Sequence, residues 1–270
     1  MILLTAAVAL SAAPRGLSSA FPAEGVTRFA LRQGGGSVLV EADPNAGMVE
    51  AIGTPTQWEE GCAVDATQQA EHVQVTVVDP PGMRTCRVDW RVVLPPGVQV
   101  SIDTGQGGVH LRALEGEVGV RIGTGDLVLE DVTGEIQVKL GTGGVQGNFS
   151  GRSGTFEVGK GGVHLDGLLH PVRATVGLGN IGLTYGLAPR GEVTASTGAG
   201  AITVLLPPDS PVAVLWGRAL GPKRVLLPEN EAAPTRLSLS AGVGSVLVDD
   251  LTSERGLKRA HVRRREGDLR

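Results

Sequence analysis

Glycine pairs recur in this chain every 18 residues. One residue separates the two glycines of each pair, and five consecutive pairs keep the spacing: Gly105 and Gly107, Gly123 and Gly125, Gly141 and Gly143, Gly159 and Gly161, and Gly177 and Gly179. A fixed period of this length indicates a solenoid, in which each repeat forms one structural unit that stacks on the next. The period therefore constrains the fold strongly, although it says little about chemistry.

Apolar residues alternate with polar or small ones on both sides of each glycine pair. The equivalent positions before the pair include Val100, Val118, Ile136, Gly154 and Val172, and those after it include Val109, Leu127, Val145, Val163 and Ile181. A period of two is typical of strands with one buried face. We therefore predict an all-β fold, a single-stranded parallel β-helix or β-solenoid with coils of about 18 residues, for which the crossover rule favours a right-handed winding. An antiparallel β-sandwich is the alternative, but it does not require a constant period.

The glycine pairs are predicted to be structural corners between the two strands of each coil. The position after each pair holds only Gly, Asp or Asn: Gly108, Asp126, Gly144, Gly162 and Asn180. These residue types tolerate positive φ, so a left-handed backbone is expected at that position once per coil. A second, looser corner is predicted near Gly116, Gly134 and Gly151.

The composition agrees with a narrow apolar interior. The 270 residues include 41 glycines, and only 3% are aromatic, as expected where Val, Leu and Ile fill a thin core. The formal net charge of −4 gives no electrostatic footprint for nucleic acid, so we predict no nucleic-acid partner.

The N-terminal segment has features of a secretory signal. Residues 2–13 form an apolar run that is too short to span a bilayer comfortably, and Ser18 and Ala20 suit a signal-peptidase site. We predict a signal peptide over residues 1–20 and a mature chain that starts near Phe21. Because no Lys or Arg precedes the apolar run, an N-terminus that stays attached is the alternative. No cysteine stands directly after the run, so a lipid-anchored lipoprotein is not expected.

The chain contains two cysteines, Cys62 and Cys86. In an exported protein they are predicted to form a disulfide that closes a loop of about 25 residues. Two buried free thiols are the alternative. A metal site is less favoured because neither cysteine has a second ligand at short spacing.

The remaining segments divide the chain into four predicted regions. Residues 1–20 are the signal peptide, 21–97 an irregular N-terminal β cap with the first coils and the disulfide, 98–250 the β-solenoid, and 251–270 a basic C-terminal tail. The cap is expected to cover the first open sheet edge of the solenoid. The tail is expected to be a solvated end or to bind an acidic partner, such as an anionic lipid surface or envelope polymer.

One segment resembles a known family. The sequence LPPGVQVSIDTGQGGVHL, from Leu94 to Leu111, and the repeated strand, G-T-G and strand pattern after it are similar to a bacterial domain family of unknown function. That family is usually labelled a putative adhesin and is also described as a toastrack-type β-solenoid. The resemblance covers roughly residues 35–250. It implies an exported or membrane-associated β-solenoid and supplies no catalytic residues. Some relatives join this domain to transmembrane helices in envelope-stress systems.

Metal chemistry is not favoured by the outward residues. Calcium-binding β-rolls repeat their acidic ligands in every turn. In this chain the position that follows each glycine pair is acidic only once, at Asp126. His110 and His164 occupy one outward column three coils apart, roughly 14 Å at the usual strand spacing, too far to share a metal. We predict no metal site and no cofactor, and we expect both histidines to be surface residues.

Catalysis is not favoured either. Asp103, Arg121, Lys139 and Glu157 share an outward column, which a mixed-charge ladder on a solvated face explains. Polysaccharide-degrading β-helices need paired carboxylates or a basic cluster in a groove, usually with aromatic platforms, and the regular stack is poor in aromatic residues. The sequence has no G-x-S-x-G, HExxH or P-loop motif.

The sequence therefore predicts a non-catalytic, exported β-solenoid that acts as an adhesin-like, scaffold or interaction module of the bacterial envelope. Its expected location is the periplasm, cell surface or extracellular space, and its expected partner is an envelope protein or glycan. Membrane contact is expected only through the basic tail. An envelope-stress signalling module with a membrane partner and a carbohydrate-active β-helix enzyme are the alternatives.

Overall fold

The computed structural model describes residues 16–82 and 86–252, and all regular secondary structure in these ranges is β-strand. The predicted all-β class and the parallel β-solenoid are confirmed. No helix in the described ranges is long and apolar enough to span a bilayer. The chain forms two compact units, residues 1–146 and 147–270, which are described one at a time.

The first unit contains twelve complete strands within its described residues and the start of a thirteenth. They are β1 (Leu17–Pro22), β2 (Arg28–Gly35), β3 (Val38–Ala42), β4 (Met48–Gln57), β5 (Ala63–Gln69), β6 (His72–Val78), β7 (Arg87–Leu94), β8 (Gln99–Gln106), β9 (Val109–Arg112), β10 (Val118–Thr124), β11 (Leu127–Val132) and β12 (Ile136–Thr142), with β13 (Val145–Phe149) crossing into the second unit.

Parallel pairing stacks the coils of the first unit in register. One ladder runs β6, β2, β8, β10 and β12, and a second runs β7, β3, β9 and β11. Val118 lies between Val100 and Ile136, as the 18-residue columns predict, and all three side chains are buried. Equivalent residues of successive coils therefore lie side by side, and their buried side chains form the apolar interior of this unit.

The stacking order departs from the sequence order at the N-terminal side of this unit. The coil made by β6 and β7, residues 72–94, follows β2 and β3 in sequence but stacks on their opposite side from β8 and β9. We call it the N-terminal cap coil. Strand β5 pairs antiparallel with β6, β4 pairs antiparallel with β7, and β1 pairs antiparallel with β4. The free edges of the cap coil are thus both covered.

Strand β1 bears on the predicted signal peptide. Residues 1–15 lie outside the described residues, so the signal peptide stays a prediction. Strand β1 begins at Leu17 and pairs along its whole length with β4. The predicted mature start near Phe21 therefore falls inside a paired strand.

The second unit contains ten complete strands within its described residues. They are β14 (Gly154–Lys160), β15 (Val163–Leu168), β16 (Val172–Leu178), β17 (Ile181–Tyr185), β18 (Gly191–Ala199), β19 (Ile202–Leu206), β20 (Val212–Leu220), β21 (Lys223–Val225), β22 (Thr235–Val243) and β23 (Val246–Asp250).

The second unit also stacks its last coils out of sequence order. One ladder runs β14, β16, β18, β22 and β20, and the other runs β15, β17, β19, β23 and β21. The coil made by β20 and β21, residues 212–225, therefore lies beyond the coil that follows it in sequence. We call it the C-terminal cap coil. From the sequence, this stretch is expected to be irregular apart from one apolar strand, Val212 to Trp216. That expectation is wrong, because both strands of the coil continue the ladders.

One column position of the second unit shows how the core compensates for a missing side chain. Gly154 stands where neighbouring coils have Val or Ile, and an added Cβ would lie 2.8 Å from the rings of both Phe149 and Phe156. Those two rings pack edge to face with centroids 5.8 Å apart, and both are buried. The two phenyl rings thus fill the volume that a branched side chain occupies in the other coils.

The glycine pairs lie at the corners, but the left-handed residue is not the predicted one. Positive φ occurs at the second glycine of each pair, for example +148° at Gly125 and +142° at Gly179, and not at Asp126 or Asn180. An added Cβ at Gly125 would overlap the carbonyl oxygen of Gly107 in the adjacent coil. The predicted left-handed position, which follows each pair, is therefore one residue too late.

Asp126 and Asn180 serve another purpose at that position. The Asp126 carboxylate accepts a hydrogen bond from the Gly144 amide at 2.7 Å, and the Asn180 side chain accepts one from the Ala201 amide at 2.8 Å. Each donor occupies the same column one coil further along. The preference for Asp and Asn thus reflects side-chain bonds between coils.

Candidate functional site

The outward face of the first ladder in the first unit carries a row of charges. Arg32 on β2 aligns with Asp103 on β8, Asp103 aligns with Arg121 on β10, and Arg121 aligns with Lys139 on β12. The predicted mixed-charge ladder comprised Asp103, Arg121, Lys139 and Glu157, and the pairing brings the first three together as expected. Glu157 lies on β14 of the second unit. Neighbouring side chains in such a column are separated by about 4.8 Å of strand spacing.

Arg32 was missed by the sequence reading because 71 residues separate it from its neighbour in the ladder. A signal was present, however. Arg32 lies two residues before Gly34, as Asp103 lies two residues before Gly105. Alignment of the first glycine corner with the later ones would have placed this arginine in the same column.

A shallow surface cavity of about 200 Å³ lies on this face. We call it the charged groove; its lining comprises Arg32, Ser101, Ile102, Asp103, Gly119, Val120, Arg121, Gln137 and Lys139. Gly119 contributes no side chain, and a Cβ at this position would meet no atom within 4 Å. The groove is therefore a depression between outward side chains that rests on rigid, fully paired strands.

The charged groove is electropositive. It contains three cations and one carboxylate, and the Arg32 Nε atom lies 3.7 Å from the Asp103 carboxylate. This ion pair is well exposed, with 71% and 45% of the two side chains accessible, so it adds little to stability. Arg121 makes no ion pair with any residue that the structure describes. Side chains of this kind, held on adjacent strands, suit an anionic ligand group.

A second charged cluster lies on the other ladder of the same unit. Arg91 on the cap coil lies 3.5 Å from Glu41, and Glu41 lies 3.6 Å from Arg112. Arg112 donates a hydrogen bond of 2.7 Å to Glu130, which lies 3.0 Å from His110 Nε2. The cluster thus links the N-terminal cap coil to β3, β9 and β11.

Two groups of this cluster have shifted pKa values. The hydrogen bond to Glu130 and its charge raise the pKa of the Arg112 guanidinium. Partial burial acts to raise the pKa of Glu130, but the hydrogen bond from Arg112 and the nearby charges of His110 and Arg112 outweigh it, so the pKa lies below the ordinary glutamate value. Glu130 is therefore an ionised structural partner at neutral pH, and its oxygens are already engaged.

The other residues that the sequence singled out lie apart from one another or have structural roles in the described part of the chain. Cys62 and Cys86 form a disulfide with a Cα–Cα distance of 6.0 Å. His110 lies beside Glu130, and His164 lies on β15 close to Gly162. Within the described residues no three His, Cys, Asp or Glu side chains are grouped as a metal site would require. The basic tail from residue 253 lies outside the described residues.

The described residues form a parallel β-solenoid with an electropositive outward groove. Comparison with known proteins finds no matching protein-family model and no matching curated protein. Solved structures that are similar to the chain include three bacterial proteins. A putative cell adhesion protein from Clostridium sporogenes is 13% identical, with 88% of this chain and 99% of that chain covered and a TM-score of 0.29.

The other two structures are both called putative adhesins. The one from Bacteroides fragilis is 12% identical with a TM-score of 0.34, and the one from Parabacteroides distasonis is 10% identical with a TM-score of 0.42. Each alignment covers 87% of this chain and 96% of the other. The resemblance that the sequence predicted thus recurs in the names of these proteins. At such low identity and TM-score, no functional argument rests on it.

Proposed function

We propose that this chain is a non-catalytic, exported interaction module of the bacterial envelope that recognises an anionic partner through the charged groove. The observation that carries the proposal is the groove itself. Arg32, Arg121 and Lys139 converge there on adjacent strands around a glycine depression, with Asp103 as the single carboxylate of its lining. A fixed row of cations matches repeated acidic groups along an extended polymer better than it matches a small molecule that must be enclosed.

Export is supported by the disulfide. Disulfides persist in oxidising compartments such as the periplasm and the extracellular space, and Cys62 and Cys86 are bonded. The predicted signal peptide is consistent with this location. The absence of catalysis is supported by the surroundings of the carboxylates, because Glu41 and Glu130 are engaged by arginines and Asp103 is paired with Arg32.

Binding to acidic and neutral polysaccharides tests the proposal. The purified chain is titrated with polygalacturonate, as a carboxylate polymer, and with dextran, as a neutral one. We expect binding to polygalacturonate that weakens with added salt, and no binding to dextran. Arg121→Ser is expected to weaken the binding about tenfold. Arg173→Ser is the matched control, because Arg173 is an exposed, outward arginine on β16 of the second unit.

The same samples test the non-catalytic assignment. Polymer length and new reducing ends are followed after long incubation, and no change is expected. Equal binding to both polymers, or an equal effect of the two arginine substitutions, would contradict recognition through the groove. Cleavage that stops in an Asp103→Asn variant would show that the chain is an enzyme.

A further inference from the structure

The corner column differs in chemistry between the two units. This column holds the residue between the two glycines of each pair. In the first unit it is polar, with Gln106, Thr124 and Thr142 in register. In the second unit, parallel pairing aligns four apolar residues at the same kind of position: Leu178, Ala199, Val243 and Leu220. We call these four residues the apolar ridge.

The large side chains of the apolar ridge are exposed. The exposed fraction is 52% at Leu178, 62% at Val243 and 69% at Leu220, the most exposed large hydrophobic residue in the described part of the chain. Four strands at the usual spacing make the ridge about 14 Å long. Single exposed leucines are common on soluble proteins, but a continuous row of them indicates an interaction surface.

The backbone carbonyls of three ridge residues are already hydrogen-bonded between coils. The carbonyl oxygen of Leu178 accepts from the Gly161 amide at 2.8 Å, that of Ala199 from Gly179 at 2.8 Å, and that of Val243 from Gly200 at 2.9 Å. An irregular corner normally stays out of an apolar medium, because its unpaired backbone groups would lose their hydrogen bonds to water there. These three carbonyls therefore need no water, which lowers the cost of moving this part of the ridge out of the aqueous phase.

Cations flank the ridge at both of its ends. Lys160 precedes Leu178 in the same column, and Arg218, Lys223 and Arg224 surround Leu220 in sequence. No acidic residue occurs between residues 210 and 228. Lys223 Nζ also lies 5.1 Å from the centroid of the Trp216 ring, which is 38% exposed. Exposed aliphatic residues, a tryptophan and flanking cations are the combination found where proteins bind the surface of an anionic bilayer.

We propose that the apolar ridge inserts shallowly into an anionic phospholipid bilayer while Lys160, Arg218, Lys223 and Arg224 contact the lipid headgroups. The proposal is independent of the charged groove, which lies on the other unit. A second copy of the chain is a poorer occupant. The ridge offers three large side chains and one alanine, a fraction of the roughly 800 Å² per partner that a standard interface buries. It would also bring the like charges of two copies together.

Vesicle binding of the full chain tests the inference. Vesicles of phosphatidylcholine mixed with phosphatidylglycerol are compared with vesicles of phosphatidylcholine alone by co-sedimentation at low and high salt. We expect binding to the anionic vesicles only. Leu220→Ser combined with Val243→Ser should weaken it about tenfold or more, because two apolar anchors are lost. Lys223→Gln combined with Arg224→Gln should weaken it and reduce its salt dependence.

Leu187→Ser is the matched control. Leu187 is 62% exposed in the same unit but lies outside the ridge, so its replacement should leave binding unchanged. All variants keep the N-terminal apolar run and the basic tail, so a difference between them reports on the ridge. Near-ultraviolet circular dichroism checks that the exposed substitutions leave the fold intact.

Four results would overturn the inference. These are no binding to anionic vesicles, equal binding to neutral ones, binding that the ridge double variant retains in full, and equal losses in the ridge and Leu187 variants. A concentration-dependent dimer that the ridge double variant abolishes, without any vesicle binding, would instead assign the ridge to a second copy. Failure of either proposal leaves the other standing, because groove and ridge variants are read against different ligands.

Discussion

Each cap coil has a tryptophan at a position whose partner in the adjacent coil is buried, but the surroundings of the two tryptophans differ. Trp90 in the N-terminal cap coil is 3% exposed and packs beneath β4, where Gly53 leaves room for the indole ring. Trp216 in the C-terminal cap coil is 38% exposed, with Lys223 over its ring. A parallel stack of coils therefore does not cover its own end strands. Antiparallel strands seal one cap, whereas the other keeps apolar and cationic groups at the surface.

The outer edge of the C-terminal cap coil is not covered by another strand, but its local structure discourages strand pairing. Outside the pairing with β22, the described residues offer β20 only an isolated bridge between Val212 and Glu229. The register shifts after Trp216, which indicates a bulge around Gly217 and Arg218. A bulge and a cation are two devices that discourage strand addition. This edge therefore discourages pairing with a strand of another molecule, while its exposed side chains can still contact another surface.

The largest expected effect comes from removing the two tryptophans. Trp90→Ala should cost about 3–5 kcal/mol, because it leaves a cavity beneath β4. Trp216→Ala should cost about 1 kcal/mol, since its ring is partly hydrated already. Urea unfolding of the two variants and the parent chain measures both values. Equal losses of stability in the two variants would contradict the different burial of the two tryptophans.

Removal of the disulfide should have the next largest effect. Cys62 and Cys86 are 24 residues apart and join the start of β5 to the start of β7. Replacing both with serine should cost about 3 kcal/mol, because the unfolded chain gains loop freedom. The urea midpoint of the double variant is compared with that of the parent chain with and without reductant. If reductant shifts the double variant as much as the parent, the effect does not arise from this bond.

Acidification should produce the smallest effect, and it should act on the first unit. The pKa of Glu130 is lowered in the folded chain, so its contribution to stability is present above the ordinary glutamate pKa and is lost as the pH falls below it. Between pH 7 and about pH 3.5 the parent should lose about 0.3 M more in urea midpoint than Glu130→Gln, as expected for an exposed cluster. A larger loss in the variant would reverse the predicted sign.

The regular coils could be predicted from the sequence because each one repeats the same pattern of apolar residues and glycine pairs. Val100, Val118 and Ile136 occupy equivalent positions, and parallel pairing at a constant period places them in one column. The disulfide followed from the cysteine count and the expected compartment. The mixed-charge ladder followed from the same columns, except for Arg32 in the first coil.

The order of the cap coils could not be predicted, for a physical reason. A parallel strand can pair on either side of its neighbour, and the local sequence of β20 does not state on which side of β22 it will lie. The left-handed position was misplaced for a related reason. Asp126 and Asn180 have the right chemistry for positive φ, but a bond to the next coil selects the same residue types.

Hydrogen exchange of the full chain without lipid tests the unequal caps most directly. Amides of β6 and β7 lie between paired strands on both sides, whereas half of the β20 amides face away from β22. Peptides covering residues 72–78 and 87–94 are expected to exchange among the slowest in the chain, and those covering residues 213–220 are expected to exchange far faster. Equal protection of the two cap coils would contradict this expectation.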